Sequence, residues 1–198
     1  AVTGAAQASR LRVTEIFLSL QGEAATVGFP TVFVRLTGCP LRCTWCDTAY
    51  AFHGGEWWSQ EDILKKVAGF GVRHVCVTGG EPLAQRASLQ LVAGLCDSGQ
   101  VVSLETSGAL SIAAVDARVQ RVVDVKTPGS GESQRNRYGD LALLTPHDLV
   151  KFVVTDRADY EWSLACVRER DLAARCTVLF SPGYGQLPDS GSQTVQEE

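Results

Sequence analysis

The stretch GCPLRCTWCDT, residues 38 to 48, carries the side chains best suited to chemistry in this sequence. Cys39, Cys43 and Cys46 fall within eight residues, spaced C-x3-C-x2-C. Three chemistries use clustered thiols. A structural zinc ion takes four protein ligands, often as two separated C-x2-C pairs, and no second pair exists here. A redox dithiol needs only C-x-x-C, which Cys43 and Cys46 supply, and leaves Cys39 without a task. A four-iron cluster is ordinarily held by four cysteines, so three would leave one iron open to a small ligand. The iron–sulfur reading accounts for all three thiols; zinc and redox or structural thiols stand as alternatives. Cys76, Cys96, Cys166 and Cys176 lie singly in apolar segments and read as small buried hydrophobes. His53, His74 and His147 read as ordinary surface or core residues.

Composition bounds the setting. A chain of 198 residues fits one domain and is long enough to bury a core. The net charge is -4 and no Lys/Arg-rich run is present, which argues against nucleic acid or an anionic membrane as partner. The opening AVTGAAQASR lacks the pattern of a secretory signal, and no apolar stretch approaches the ~20 residues that span a bilayer. Seven cysteines is an odd number, unlike a secreted disulfide framework. These features predict a soluble, cytoplasmic protein. The sequence holds no Met, position 1 included.

The elements that must position the thiols are short β-branched runs with helical patterns between them. TVFVRLTG (31 to 38), RHVCVTGG (73 to 80), QVVSLETSG (100 to 108), QRVVDVKTPG (120 to 129), DLVKFVVT (148 to 155) and CTVLFSPG (176 to 183) read as strands. Their near-continuous apolar character predicts parallel strands buried on both faces. LRVTEIFLSLQGE alternates in part and reads as an edge strand. Helices are predicted in SQEDILKKVAGFG, capped by Ser59; in LAQRASLQLVAGLCDSG, with Leu91, Val92, Leu95 and Cys96 on one face; in the short SIAAVDA; and in DRADYEWSLACVRERDL, capped by Asp156. Strand and helix alternating about six times predict an α/β fold, an incomplete parallel (β/α) barrel of about six strands, since the chain is shorter than the ~250 residues of the full eight-fold barrel. Residues 1–10 read as a flexible N-terminus, 11–188 as one domain and 189–198 as a polar tail.

In such folds chemistry gathers at the carboxyl ends of the strands. Here those ends read RLTGC, VTGGEP, LETSG, DVKTPGSG and LFSPGYG. The C-x3-C-x2-C run after the first parallel strand, with TGGEP ending the next, resembles the radical S-adenosylmethionine superfamily. In that superfamily the open iron is chelated by S-adenosylmethionine, whose reductive cleavage gives a 5′-deoxyadenosyl radical that abstracts hydrogen. The resemblance implies that Cys39, Cys43 and Cys46 hold a [4Fe-4S] cluster. It sets Gly79, Gly80 and Glu81 along the methionine amino group, makes Ser107 and Lys126 contacts to the rest of the cofactor, and puts Trp45, Cys46 and Asp47 beside it, with Trp45 near the adenine. The plainer reading of Glu81 is an acid at a helix N-terminus.

A narrower resemblance covers roughly residues 11 to 188. EIFLSLQGEA, FVRLTGCPLRCTWCDTAYAF, VTGGEPL, LETSGAL and VKTPGSG together resemble the 7-carboxy-7-deazaguanine synthase family. This implies ring contraction of 6-carboxy-5,6,7,8-tetrahydropterin to 7-carboxy-7-deazaguanine with loss of ammonia, a carbon–nitrogen lyase step in queuosine biosynthesis. It further implies S-adenosylmethionine, a four-iron cluster and Mg2+ as cofactors, a flavodoxin-type electron donor and a homodimer. The residue types suit a pterin acid. Leu20, Gln21, Gly22 and Glu23 form the LQGE segment, in which Gln21 offers donor and acceptor and Glu23 can pair with a guanidine-like ring edge. Arg35 can take a carboxylate in bidentate fashion. Thr48 supplies a hard oxygen for Mg2+, Thr78 faces the same rim, and Glu105 is the candidate proton-transfer group. The plainer readings are a turn at Gln21-Gly22, a solvated Arg35 and a capping Thr48. Two departures stand out. Ala24 occupies a position where the family usually has Gly, and its methyl is expected to narrow the pocket. After SPGYGQL the family usually continues with a helix and a strand that close the site, where this sequence has PDSGSQTVQEE. Alternative functions are another radical enzyme, such as a glycyl-radical activase, and a non-catalytic metal-binding homologue.

Overall fold

Apolar β-branched residues recur at every second position of the runs, and the chain turns that period into a sheet with two unlike faces. The computed structural model describes residues 10–183. Eight strands form one open sheet: β1 (Arg10–Leu20), β2 (Pro30–Leu36), β3 (Glu56–Ser59), β4 (His74–Gly79), β5 (Val101–Thr106), β6 (Gln120–Asp124), β7 (Leu149–Val154) and β8 (Thr177–Pro182). Their order is β3-β1-β2-β4-β5-β6-β7-β8. From β2 to β8 all neighbours are parallel, which gives the six parallel strands and the unclosed barrel that the sequence predicts. β1 pairs antiparallel with β2, and β3 antiparallel with β1. β1 is therefore not the edge; the unpredicted β3, EWWS, covers it.

One face of the sheet is the core. Val32, Val34 and Leu36 of β2, Val75 and Val77 of β4, Val102 and Leu104 of β5, Val123 of β6 and Val150 and Phe152 of β7 are buried there. The helices α1 (Gln60–Ala68), α2 (Ser88–Asp97) and α3 (Arg157–Glu169) supply Ile63, Val67, Leu91, Val92, Leu95 and Cys166 to the same core. Ser59 caps α1 by accepting from the Asp62 amide, and Asp156 caps α3 by accepting from the Asp159 amide. The alternate residues, Arg35, Thr78, Glu105, Asp124 and Lys151, point to the opposite face and line a cavity. The prediction of strands buried in apolar surroundings on both faces is thus wrong for one face. The alternation of strand and helix about six times fails too, since one of the four named helices is missing. SIAAVDA forms no helix, and β6 is joined to β7 by 3-10 turns alone. α2 begins at Ser88 rather than at Leu83, because Pro82–Ala84 makes a 3-10 turn of its own. Residues 184–198, with the predicted polar tail, and residues 1–9 lie outside the described residues. Among the described residues no helix is long and apolar enough to cross a membrane.

The amino end of the barrel is held by one buried ion pair. Asp148, 1% exposed, accepts from Arg121 Nη2 at 2.5 Å and Nε at 3.0 Å, and from the amides of Arg121 and Thr145. These bonds staple the starts of β6 and β7. Burial works to raise the Asp148 carboxyl, but the Arg121 guanidinium and the amides outweigh it and hold it below its ordinary value. Removing one partner strands the other charge, so Asp148→Ala is expected to cost about 3 kcal/mol at neutral pH by urea unfolding. A lowered native carboxyl stabilises above its unfolded value and is lost as pH falls through the native one. The gap between wild type and variant should therefore narrow below about pH 4.

Candidate active site

The cavity, of about 460 Å3, opens at the carboxyl ends of the parallel strands. Every predicted site residue lines it except Glu81. Cys39, Cys43 and Cys46 follow β2 and are free, half-buried thiols. Their loop is pinned from two sides. Arg42 folds back to donate to the carbonyls of Cys39 and Leu41 and lies 4.2 Å over the Phe52 ring. Across the cavity the loop after β6 holds it: the Thr44 amide donates to Ser130 O and its hydroxyl to Gly129 O, while the Arg42 amide donates to Glu132. That second loop is itself fixed by Asp159 of α3, which accepts from the Gly129 amide and the hydroxyls of Thr127 and Thr155.

Gly79 and Gly80 bring β4 against the cysteine loop. A Cβ on Gly80 would run into the Gly38 carbonyl oxygen and the Cys39 Cβ. The Glu81 amide donates to Gly38 O at 2.7 Å. The Glu81 side chain, fully buried, turns away from the cavity. Its carboxylate accepts from the Leu83 amide, from the Thr106 hydroxyl, and from both the amide and hydroxyl of Ser107. Glu81 is therefore the N-cap of the Pro82–Ala84 turn, as the plainer reading had it, and also a clamp on the end of β5.

On the LQGE side, the Gln21 backbone makes the turn by bonding Phe29 and Gly28, and its Oε1 accepts from the Glu23 amide. Its Nε2 is buried in the cavity wall with no partner. Leu20 lies on the rim, 63% exposed. Ala24 has φ 63° but does not line the cavity, so its methyl narrows nothing. Arg35 is not a solvated strand residue; its Nε donates to Glu15 at 2.7 Å, and Tyr50 donates to the same oxygen. Burial pushes the Glu15 carboxyl up, but Arg35 and Tyr50 overcome it and hold it down. Thr78 donates to Glu105 at 3.1 Å. Thr48 precedes the 3-10 turn Ala49–Phe52 without capping it by its side chain; its Oγ1 is 3.7 Å from Cys46 Sγ. Lys126 lies 4.8 Å from the Trp45 ring centroid and 2.9 Å from Asp124. Burial works against its ammonium, but Asp124 and Cys43 raise it above the ordinary lysine value. Asp124 Oδ1 and Trp45 Nε1 are buried and unpartnered.

Among the lining residues that the sequence reading missed are Asp124, Lys151, Phe17 and Phe33. A signal for one of them was present. Lys151 is the lone charge in LVKFVV, and a charge inside a strand that apolar is seldom found without a partner or a task.

A model of the radical SAM superfamily matches residues 33–127. The 7-carboxy-7-deazaguanine synthase of Koribacter versatilis is 45% identical over 179 residues, 88% of this chain and 78% of that one. The enzyme of the same name from Chlorobaculum tepidum is 41% identical over 180 residues, covering 89% and 82%. The crystal structure of QueE from Escherichia coli superposes with a TM-score of 0.69 at 27% identity, covering 87% of this chain and 84% of that one. The chain belongs to the 7-carboxy-7-deazaguanine synthase family.

Membership implies a [4Fe-4S] cluster and S-adenosylmethionine, and the residues fit both. Three free thiols border one cavity on a pinned loop, and the Gly80 backbone lies so close to Gly38 and Cys39 that a Cβ there would not fit. Among the described residues no three Cys, His, Asp or Glu side chains converge as on a single ion. A cubane spreads its thiolates over different irons, so this spacing suits a cluster better than zinc. Burial pushes the Cys39 thiol up and the Cys43 thiol up to about 11, so cluster loading must release protons there. The orphaned Trp45 Nε1 and Asp124 Oδ1 are a donor and an acceptor that a polar ligand could pair. Gly80→Ala is expected to keep the fold, by circular dichroism, and to lose most of the reconstituted iron and sulfide, because its methyl displaces Cys39. Full iron loading in that variant would contradict the packing argument.

Proposed function

We propose that this chain contracts the ring of 6-carboxy-5,6,7,8-tetrahydropterin to 7-carboxy-7-deazaguanine with loss of ammonia, as a carbon–nitrogen lyase. The observation that carries the reading is the convergence of the cysteine loop with Gln21, Glu23, Arg35, Thr78 and Glu105 on one cavity. When bound, the cluster and S-adenosylmethionine supply the electron and the hydrogen-abstracting carbon radical. The remaining tasks fall to side chains. Arg35 takes the substrate carboxylate with its terminal nitrogens, its Nε being held by Glu15. Gln21 Nε2, buried without a partner, donates to the heterocycle, and Glu23 accepts from its N–H edge. Glu105, oriented by the Thr78 hydroxyl, takes or returns a ring proton. Thr48, free of a capping bond, offers its hydroxyl to Mg2+, which keeps waters and needs few protein ligands. Gly79, Gly80, Ser107, Lys126, Trp45 and Asp47 border the S-adenosylmethionine side, and Glu81 supports it from behind.

The same reading extends to a cytoplasmic homodimer reduced by a flavodoxin-type donor, with residues 11–188 as the catalytic domain. A glycyl-radical activase is disfavoured by the neutral, hydrogen-bonding Gln21 and the paired Arg35, which suit a small heterocyclic acid. The test is anaerobic turnover. Reconstituted protein with S-adenosylmethionine, reductant, Mg2+ and the tetrahydropterin should yield both 5′-deoxyadenosine and 7-carboxy-7-deazaguanine by mass. Deoxyadenosine without the deazaguanine, under every condition tried, would exclude the pterin as substrate.

A further inference from the structure

Two carboxylates and two ammonium groups alternate across the open side of the half-barrel. Glu23 Oε2 accepts from Lys151 Nζ at 2.6 Å. Lys151 Nζ lies 3.8 Å from Asp124 Oδ2, and Lys126 Nζ holds that same oxygen at 2.9 Å. Lys126 and Asp124 belong to the side with Trp45 and the thiols. Lys151 stands between the two sides and has no role in the mechanism above. It projects from β7, its side chain 12% exposed, while Glu23 sits on the loop after β1, 128 residues away in sequence and on the opposite arm of the sheet.

The hydrogen bonds that shape the Glu23 loop are internal to it: Gln21 to Phe29, Gly28 to Gln21, and the Glu23 amide to Gln21 Oε1. None of these fixes the Glu23 carboxylate, which is 48% exposed and would otherwise sample many rotamers. The ion pair with Lys151 reaches across the gap and fixes it. A buried ammonium needs a carboxylate, but Asp124 is already engaged by Lys126 and is the more distant partner. The short bond goes to the loop. Glu23 Oε1 accepts no bond from the described residues, and Glu23 lines the cavity.

Resting on the pterin reading, we infer that Lys151 is a positioning residue: it holds the Glu23 carboxylate across the open side of the barrel against the 2-amino and N3–H edge of the heterocycle, and so sets the preference for a 2-amino ring. A site built to accept from an N–H rejects the analogue that presents a carbonyl there, because two acceptors then face each other. Without the lysine the carboxylate swings away and the preference goes with it.

Equilibrium binding to the holoenzyme, anaerobic and with S-adenosylmethionine present, tests this with two fluorescent probes. These are 6-carboxypterin and 6-carboxylumazine, in which a carbonyl replaces the 2-amino group. Wild type should prefer the pterin by at least about tenfold. Lys151→Met should weaken pterin binding by about tenfold and bring the preference towards one. Glu23→Gln should do the same, and the double variant should lose no more than either single, since the lysine acts through the glutamate. Lys151→Met leaves Asp124 paired with Lys126 and Glu23 half-exposed, so no unpaired charge is left in the core; Lys151→Gln is the second variant should the first not fold. A full pterin preference in the folded lysine variants, or additive losses in the double variant, overturns the role of Lys151 alone. Wild type that binds neither probe overturns the pterin reading and this inference together.

Discussion

The architecture of the site rests on a carboxylate that does not enter it. Glu81 is fully buried, and an isolated charge there would be prohibitively costly. It is tolerated because four donors from three directions converge on it: the Leu83 amide of its own turn, the Thr106 hydroxyl, and the amide and hydroxyl of Ser107. The charge thereby ties the exit of β4 to the exit of β5. Its own amide, bonded to Gly38 O, ties both to the start of the cysteine loop. One carboxylate thus sets the relative positions of the thiols, the glycine backbone beside them and the Ser107 edge. Gly80 is part of the same constraint, since any side chain there would push the loops apart.

The second constraint is the period of the strand. Arg35 pairs in register with Thr78, Glu105 with Val122, and Asp124 with Lys151, all on the inner face. Their sequence neighbours Val34, Val77, Leu104, Val123 and Val150 pack the core. A slip of one residue in any of these strands would send a polar or charged side chain into that core and an apolar one into the cavity. Register is therefore enforced by the apolar face, and the polar face inherits its geometry from it. The clamp of Asp148 on Arg121 fixes that register at the far end of β6 and β7, away from the chemistry.

This division explains what could be read from the sequence. The parallel strands, the caps Ser59 and Asp156, and the cysteine loop are local patterns, and local patterns are legible. The inner-face residues at strand ends, Arg35, Thr78, Glu105 and Lys126, were legible because β-runs there stop in polar residues. The roles of Asp124 and Lys151 were not: Asp124 ends its strand and Lys151 stands out as a lone charge in its own, but what they do lies in a cross-strand pairing and in Glu23, 128 residues from Lys151. The missing crossover helices were equally hidden. The segment after β5 has helical composition, but its Ile112 amide is claimed by Asp140 and Val115 closes a turn on Ile112, so it packs as irregular chain. Tertiary contacts override propensity there.

The charges of the cavity also bear on what kind of ligand it suits. Each cation that lines it already has a carboxylate: Arg35 has Glu15, Lys126 has Asp124, and Lys151 has Glu23. Asp47 and Glu105 line it with no cation partner among the described residues, so the surface carries a modest negative excess and hydrogen bonds do much of the discriminating. The buried atoms left over are the Gln21 and Trp45 donors and one oxygen of Asp124. Each is costly while unpaired, and each is placed where a ligand replaces the lost water. Neutral donors and a single acceptor, set beside ion pairs that can lend a spare nitrogen or oxygen, match ligands that carry both signs of charge or a heterocyclic edge. A bare anion would find every cation already engaged. The pairing that keeps the folded protein from burying lone charges is thus the same pairing that makes the cavity selective for zwitterionic and heterocyclic partners.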